Sequence, residues 1–169
     1  GSEALATALD GARLVAVLTQ AQDPGNAGAI IRAADAAGAD AVVLVRGSVD
    51  PTAPKVVRST AGSLFHLPVV TGVALDDAVT ALHNAGLTVL AADGRGDLDL
   101  FEAESLLEAP SAWLLGNEAH GLPSEALSRA DAVVSIPIYG KAESLNVAAA
   151  AAVCLYASAR AQAQNSGRS

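Results

Sequence analysis

Three short stretches of this chain hold side chains that could do chemistry. In NAGAIIRAA, Asn26 stands where it could cap a helix by accepting a first-turn backbone N–H. Arg32 follows about one and a half turns later, a permanently protonated fork of donors set among Ala and Ile. Its plainest role is a snorkelling arginine paired with Asp35 at i+3. In LLGNEAHGLP, Gly116 and Gly121 bracket Asn117, Glu118 and His120. Such glycines let a ligand approach the backbone closely, and they are equally ordinary turn residues. In IPIYGKAESLNV, the polar Lys141, Glu143, Ser144 and Asn146 come just before an almost wholly apolar helix. One residue suffices to cap a helix. Here Ser144 and Asn146 flank Leu145 and bring a hydroxyl, an amide and exposed helix N–H groups to one point.

The familiar nucleotide motifs are absent. A dinucleotide fingerprint needs G-x-G-x-x-G directly after the first strand. The turn there reads QDPGNAGAIIR, with Gly25 and Gly28 but no third glycine at the required spacing, and no Walker A sequence occurs. His66, His83 and His120 are scattered and Cys154 is the sole cysteine, so neither a catalytic triad nor a metal site is expected. Cys154 falls in the apolar C-terminal helix and reads as a core thiol. With no disulfide possible within the chain, a cytoplasmic home is the expectation.

These residues must be positioned by the elements around them. Apolar runs suited to buried strands occur at 13–18, 41–45 and 67–70, at 87–94 with a turn, at 111–118 with a loop, and at 131–138. Helical patterns lie between them: one from the DPGN turn to Gly38, one after Pro54, one at 75–86, a short one at PSEALSRA and the last from Asn146 onward. Alternation of apolar strands with helices predicts an α/β fold, a mostly parallel sheet with helices on both faces. In such sheets ligands sit beyond the carboxyl ends of the strands, which points to the loops at 23–26, 91–97, 116–121 and 137–144.

The 169 residues suit one domain, and 51% hydrophobic content can build its core although aromatics are only 3%. Ten basic against 18 acidic residues give a charge of -8, which argues against a broad basic face for nucleic acid and leaves room only for a local patch. No apolar run reaches membrane-spanning length. The opening Gly-Ser resembles a tag scar (residues 1–2), the domain runs over 3–162, and the polar end at 163–169 is expected to fray as a flexible tail.

In their order and spacing, NAGAIIRAADAAGA, GNEAHGLP and IPIYGKAESLNVAAAAAVCLYA resemble the three motifs of the SpoU (TrmH-like) branch of the SPOUT RNA methyltransferases. KVVRSTAGSLFHLPV, between the first two, is similar to the family's pattern as well. The likeness runs from Arg13 to Ala159. It implies a C-terminal trefoil knot, a homodimer, and S-adenosyl-L-methionine (AdoMet) as cofactor. The implied reaction is methyl transfer to a ribose 2'-hydroxyl of RNA, 23S rRNA before tRNA. Carried over by motif, Asn26, Arg32, Glu118 and Asn146 become the catalytic set. Leu90, Ala91, Ala92, Gly116, Asn117, Ile136, Ser144 and Leu145 become the cofactor-binding set. Arg46, Lys55 and Arg58 are the local candidates for RNA contact. Family members commonly add an N-terminal RNA-binding domain or basic extensions, so the acidic chain is expected to be the catalytic part of a longer protein. The competing expectation is a catalytically inactive SPOUT-like module that binds AdoMet or RNA.

Overall fold

The computed structural model describes residues 2–20, 22–48, 66–117 and 121–165. Its elements in chain order are α1 (Ser2–Leu9), β1 (Leu14–Leu18), α2 (Pro24–Ala36), β2 (Ala41–Val45), β3 (Val69–Val73) and α3 (Leu75–Asn84). There follow β4 (Thr88–Ala92), β5 (Leu98–Asp99), a 3-10 turn (Leu100–Glu102), α4 (Glu104–Leu107), β6 (Ser111–Leu115), α5 (Ser124–Arg129), β7 (Ala132–Ser135) and α6 (Val147–Asn165). The seven strands form one sheet in the order β3-β2-β1-β6-β4-β7-β5, every pairing parallel. The expected α/β architecture is therefore present, and the helix expected after Pro54 lies outside the described residues.

The continuous apolar strands have the burial that predicted them: all five residues of β1, β2 and β6 are buried. Successive side chains enter opposite cores. Leu14, Ala16 and Leu18 of β1 face the core under α2, α4 and α6, whereas Val15 and Val17 face the core under α1, α3 and α5. Two pieces carry too little pattern to be read in advance. Helix α1 buries only Leu5 and Leu9, and β5 is two residues long.

The connection between β4 and β5 matters most for the site. These strands are consecutive in the chain, yet β7 lies between them in the sheet, so residues 93–97 must bridge the carboxyl end of β7. The Asp93 N–H donates to Val134 O at 3.0 Å. Gly96 passes so close that a Cβ there would lie 2.5 Å from Val133 O, and only glycine fits. At the other end of the sheet, Asp131 ties β7 to β4. Its carboxylate accepts the Val89 N–H at 2.7 Å and meets His83 Nε2 at 2.9 Å. Burial raises the Asp131 pKa, but these two partners outweigh it and the carboxyl lies below its ordinary value.

Helix α6 is anchored along its whole length. Asn146 Oδ1 caps it by accepting the Ala148 and Ala149 N–H groups at 2.9 and 3.2 Å. The buried Trp113 indole donates to Ser158 Oγ at 2.8 Å. Gln162 Nε2 donates to Arg13 O and Ala109 O at 2.9 and 3.2 Å. This last clasp holds the final turns of the helix, which runs to Asn165. Cys154 is fully buried, and burial pushes its thiol up to about 12, so it is an inert core residue. Removing the hydroxyl that Trp113 needs leaves an unpaired buried donor. Ser158→Ala should therefore cost about 1–3 kcal/mol in urea unfolding.

Candidate active site

The site gathers where the carboxyl ends of β4, β6 and β7 meet the amino ends of α2 and α6. Asp23 starts α2, with Pro24 in its first turn and the Asp23 Oδ2 accepting the Asn26 N–H at 3.2 Å. Asn26 was expected to be the cap. Asp23 takes that place because Pro24 opens the helix two residues earlier. The Asn26 carboxamide oxygen instead accepts from Asn146 Nδ2 at 3.3 Å. Two residues 120 apart in sequence thus join the first and last motifs, each at the start of a helix. Arg32 lies further along α2 on the exposed side, opposite Ile30, Ile31 and Ala34. Asp35, its expected i+3 partner, is engaged by His66, through the backbone N–H at 3.3 Å and Nδ1 at 3.1 Å.

A cavity of about 200 Å³ opens beneath the loop that joins β7 to α6. Of the expected cofactor set, Ala92, Gly116, Asn117, Ile136, Ser144 and Leu145 all line it. Leu90 and Ala91 do not. Each is fully buried within β4, one in either core, and the wall begins only at the last strand residue. Arg46 is exposed at the end of β2, in a groove beside α1 and α3, away from the cavity. Glu118, His120, Lys55 and Arg58 lie outside the described residues.

The residue that sequence reasoning missed is Asp93. Its side chain is 3% exposed and accepts four hydrogen bonds: Arg95 Nε and Nη2 at 2.8 Å each, the Arg95 N–H at 2.9 Å and the Leu122 N–H at 3.0 Å. Arg95 Nη2 also donates to Leu122 O at 2.8 Å. Gly121, at φ +66°, sits where a Cβ would come within 2.8 Å of Asp93 Oδ2. One carboxylate thus fastens the bridge over β7 to the second motif. The paired Arg95 guanidinium, reinforced by the Leu122 and Arg95 N–H groups, outweighs burial and holds the Asp93 pKa at about 2 against an ordinary 3.8. On the other side, Gln20 Oε1 accepts the Asn117 N–H at 3.2 Å and Gln22 Nε2 donates to Gly116 O at 3.0 Å. The available signal for Asp93 and Arg95 was polar side chains directly after an apolar strand, in a loop already marked by the carboxyl-end rule; Gln20 and Gln22 lie just ahead of the marked loop at 23–26.

The wall combines an apolar shelf of Val134, Ile136 and Leu145 with the polar residues Asn117, Glu143 and Ser144; Asp93 also lines it, but its carboxylate is already taken by Arg95 and Leu122. A flat purine suits the shelf, and a cationic sulfonium or amine suits Glu143. These residues fit AdoMet, and the cavity encloses part of a molecule that size.

Fold and site together define a parallel α/β protein with a ligand cavity under its last crossover. Residues 13–156 match the model of the SpoU rRNA Methylase family, and the chain belongs to that family. It is 42% identical over 157 residues to the 23S rRNA (guanosine(2553)-2'-O)-methyltransferase RlmP of Bacillus subtilis strain 168, covering 91% of this chain and 59% of the relative. The solved structure of the SpoU methyltransferase AviRb from Streptomyces viridochromogenes in complex with the cofactor AdoMet is 38% identical. It superposes with a TM-score of 0.79 over 92% of this chain and 62% of that one. A solved structure concerned with the 2-OH methylation of C/U34 on tRNA is 33% identical, with a TM-score of 0.77 over 92% of this chain and 97% of that one. The chain thus spans about three-fifths of the first two.

The depressed pKa of Asp93 gives stability that is fully present above about pH 4 and is lost as pH falls toward 2. Asp93→Asn should remove on the order of 2 kcal/mol at neutral pH and flatten the acid limb of the stability profile between those values. Thermal unfolding of both proteins across that range measures it.

Proposed function

We propose that this chain is the catalytic domain of an RNA (ribose-2'-O)-methyltransferase that uses AdoMet, with 23S rRNA the more suitable substrate than tRNA. The observation that carries the reading is the Asn26–Asn146 hydrogen bond. It joins two helix starts next to the wall residues Leu145 and Val147. Bound AdoMet would supply an electrophilic methyl on a sulfonium; transfer forms the C–O bond to the ribose as the S–C bond breaks and the hydroxyl proton departs.

The protein's task is then positioning, because an in-line displacement depends on holding the 2'-oxygen against the methyl group. Asn26 and Asn146 fix each other and offer amides to orient a ribose hydroxyl. Arg32 stabilises developing alkoxide charge and grips the neighbouring phosphate, which takes part in removing the proton; the guanidinium itself stays protonated and is no general base. Glu118 orients the ribose and the arginine. Wall residues Gly116, Asn117, Ile136, Ser144 and Leu145 hold the cofactor. Arg46, Lys55 and Arg58 remain the candidates for RNA contact, Arg46 standing exposed at the end of β2. RNA as substrate fits a cytoplasmic protein, and no helix among the described residues is long and apolar enough to cross a membrane.

We also propose a homodimer and a trefoil knot. Helix α6 is Ala-rich through its first turns and leaves Tyr156 half exposed, so one copy covers only part of its apolar surface. A second copy would cover the rest. For the knot, the support is the insertion of β7 beneath the 93–97 bridge, followed by the return of α6 against α4 on the same face.

Calorimetric titration should give saturable binding of AdoMet and of its demethylated product, and none of ATP. Arg32→Ala should leave that binding intact and lower methyl transfer from labelled AdoMet to rRNA by about 100- to 1,000-fold. Arg32→Lys should recover little of it, since an ammonium lacks the bidentate fork. Cofactor binding with no transfer by the wild type, in the domain and in the longer protein alike, would favour the inactive binding module instead.

A further inference from the structure

Aromatic residues make up only 3% of this chain, yet most of the described ones are not in the core. Trp113 is buried, whereas Tyr139, Phe101 and Tyr156 are 85%, 56% and 51% exposed. Aromatic rings gain much from burial, so a chain short of them has reason to keep them inside. Tyr156 has a ready explanation in the apolar flank of α6. Tyr139 does not. It stands in the loop that closes the cavity, where its neighbour Ile138 lines the wall and Tyr139 does not. Every residue from Tyr139 to Asn146 is exposed. Gly140 on one side has open space at its Cβ position, and Lys141 follows.

We propose that Tyr139 is a stacking platform for an unpaired RNA base, with Lys141 meeting the adjoining phosphate. This rests on the RNA-methylating reading above and says how that substrate is gripped beside the cavity. Three considerations favour it. A charge of -8 gives the chain little general attraction for phosphate, so grip must come from elsewhere. Stacking supplies it without net charge and without a preferred base, because every base has a π-face. An unpaired nucleotide also offers both a free base face and a reachable ribose, which a duplex does not. A second copy of the chain suits Tyr139 less well than Tyr156, for the surroundings of Tyr139 are a charged, glycine-containing loop rather than an apolar face.

Three variants test this with a short single-stranded RNA of mixed sequence and its duplex as probes. The indole emission of Tyr139→Trp should be quenched on titration with the single strand and unchanged by the duplex. Tyr139→Ala should weaken single-strand binding by about tenfold to a hundredfold, Tyr139→Phe should retain it, and both should bind AdoMet as the wild type does. The proposal fails if Tyr139→Ala binds the single strand as tightly as the wild type, or if the wild type does not bind it at all. It fails equally if Tyr139→Ala breaks a dimer while keeping RNA affinity, which would assign the ring to a second copy. A wild type that binds RNA but not AdoMet would sink the methyl-transfer reading and leave the stacking site standing.

Discussion

A single buried carboxylate holds the crossing on which this molecule depends. Asp93 lies where the chain must leave β4, clear the end of β7 and reach β5 within five residues. Such a bridge exposes backbone groups with few regular partners, and a buried unpaired group is costly. Asp93 resolves this by gathering Arg95 and the N–H of Leu122 onto one side chain, with its own N–H donated to β7. The same contacts press the second motif against the bridge. A structural need and a binding wall are met by one interaction.

The opposite face obeys a comparable economy. Helix α6 has almost no amphipathic pattern, so burial of a stripe does not dictate its orientation. Sparse polar contacts do so instead: Asn146 at the start, Ser158 against Trp113 in the middle, Gln162 across two strand-end carbonyls near the finish. Each specifies a rotation and a height that Ala and Val cannot. Asn146 then has its amide nitrogen left to reach Asn26, so the cap that starts the helix also joins the outer motifs.

How much of this was legible in advance follows from the range of each interaction. Strands such as β1 and β2 announce themselves because both faces are buried and every residue is apolar. The carboxyl-end rule pointed to these loops, and six of the positions that motif likeness singled out, from Ala92 to Leu145, line one cavity. Leu90 and Ala91, named with them, are sealed inside β4 and do not reach its wall. The loop of Asp93 was marked, but the role of its carboxylate was hidden for another reason. Its partners Arg95 and Leu122 are brought together only by strand insertion, and no local pattern encodes that a later strand will slide between two consecutive ones. Asp23 shows the smaller version, where Pro24 shifts a helix start away from the asparagine that looked suited to it.

The inserted strand also sets a schedule for assembly. On a chain made from its amino end, β4 and β5 emerge well before β7, and among the described residues β5 pairs with β7 alone. The sheet must therefore wait with its edge open, held apart rather than zipped. Contacts that join such distant segments form slowly, because loop closure precedes any gain from pairing. The cavity has one wall at Ala92 and Asp93 and the other between Val134 and Ala150, so it comes into being only with the last strand. Ligand binding is, for this molecule, a report that folding has finished.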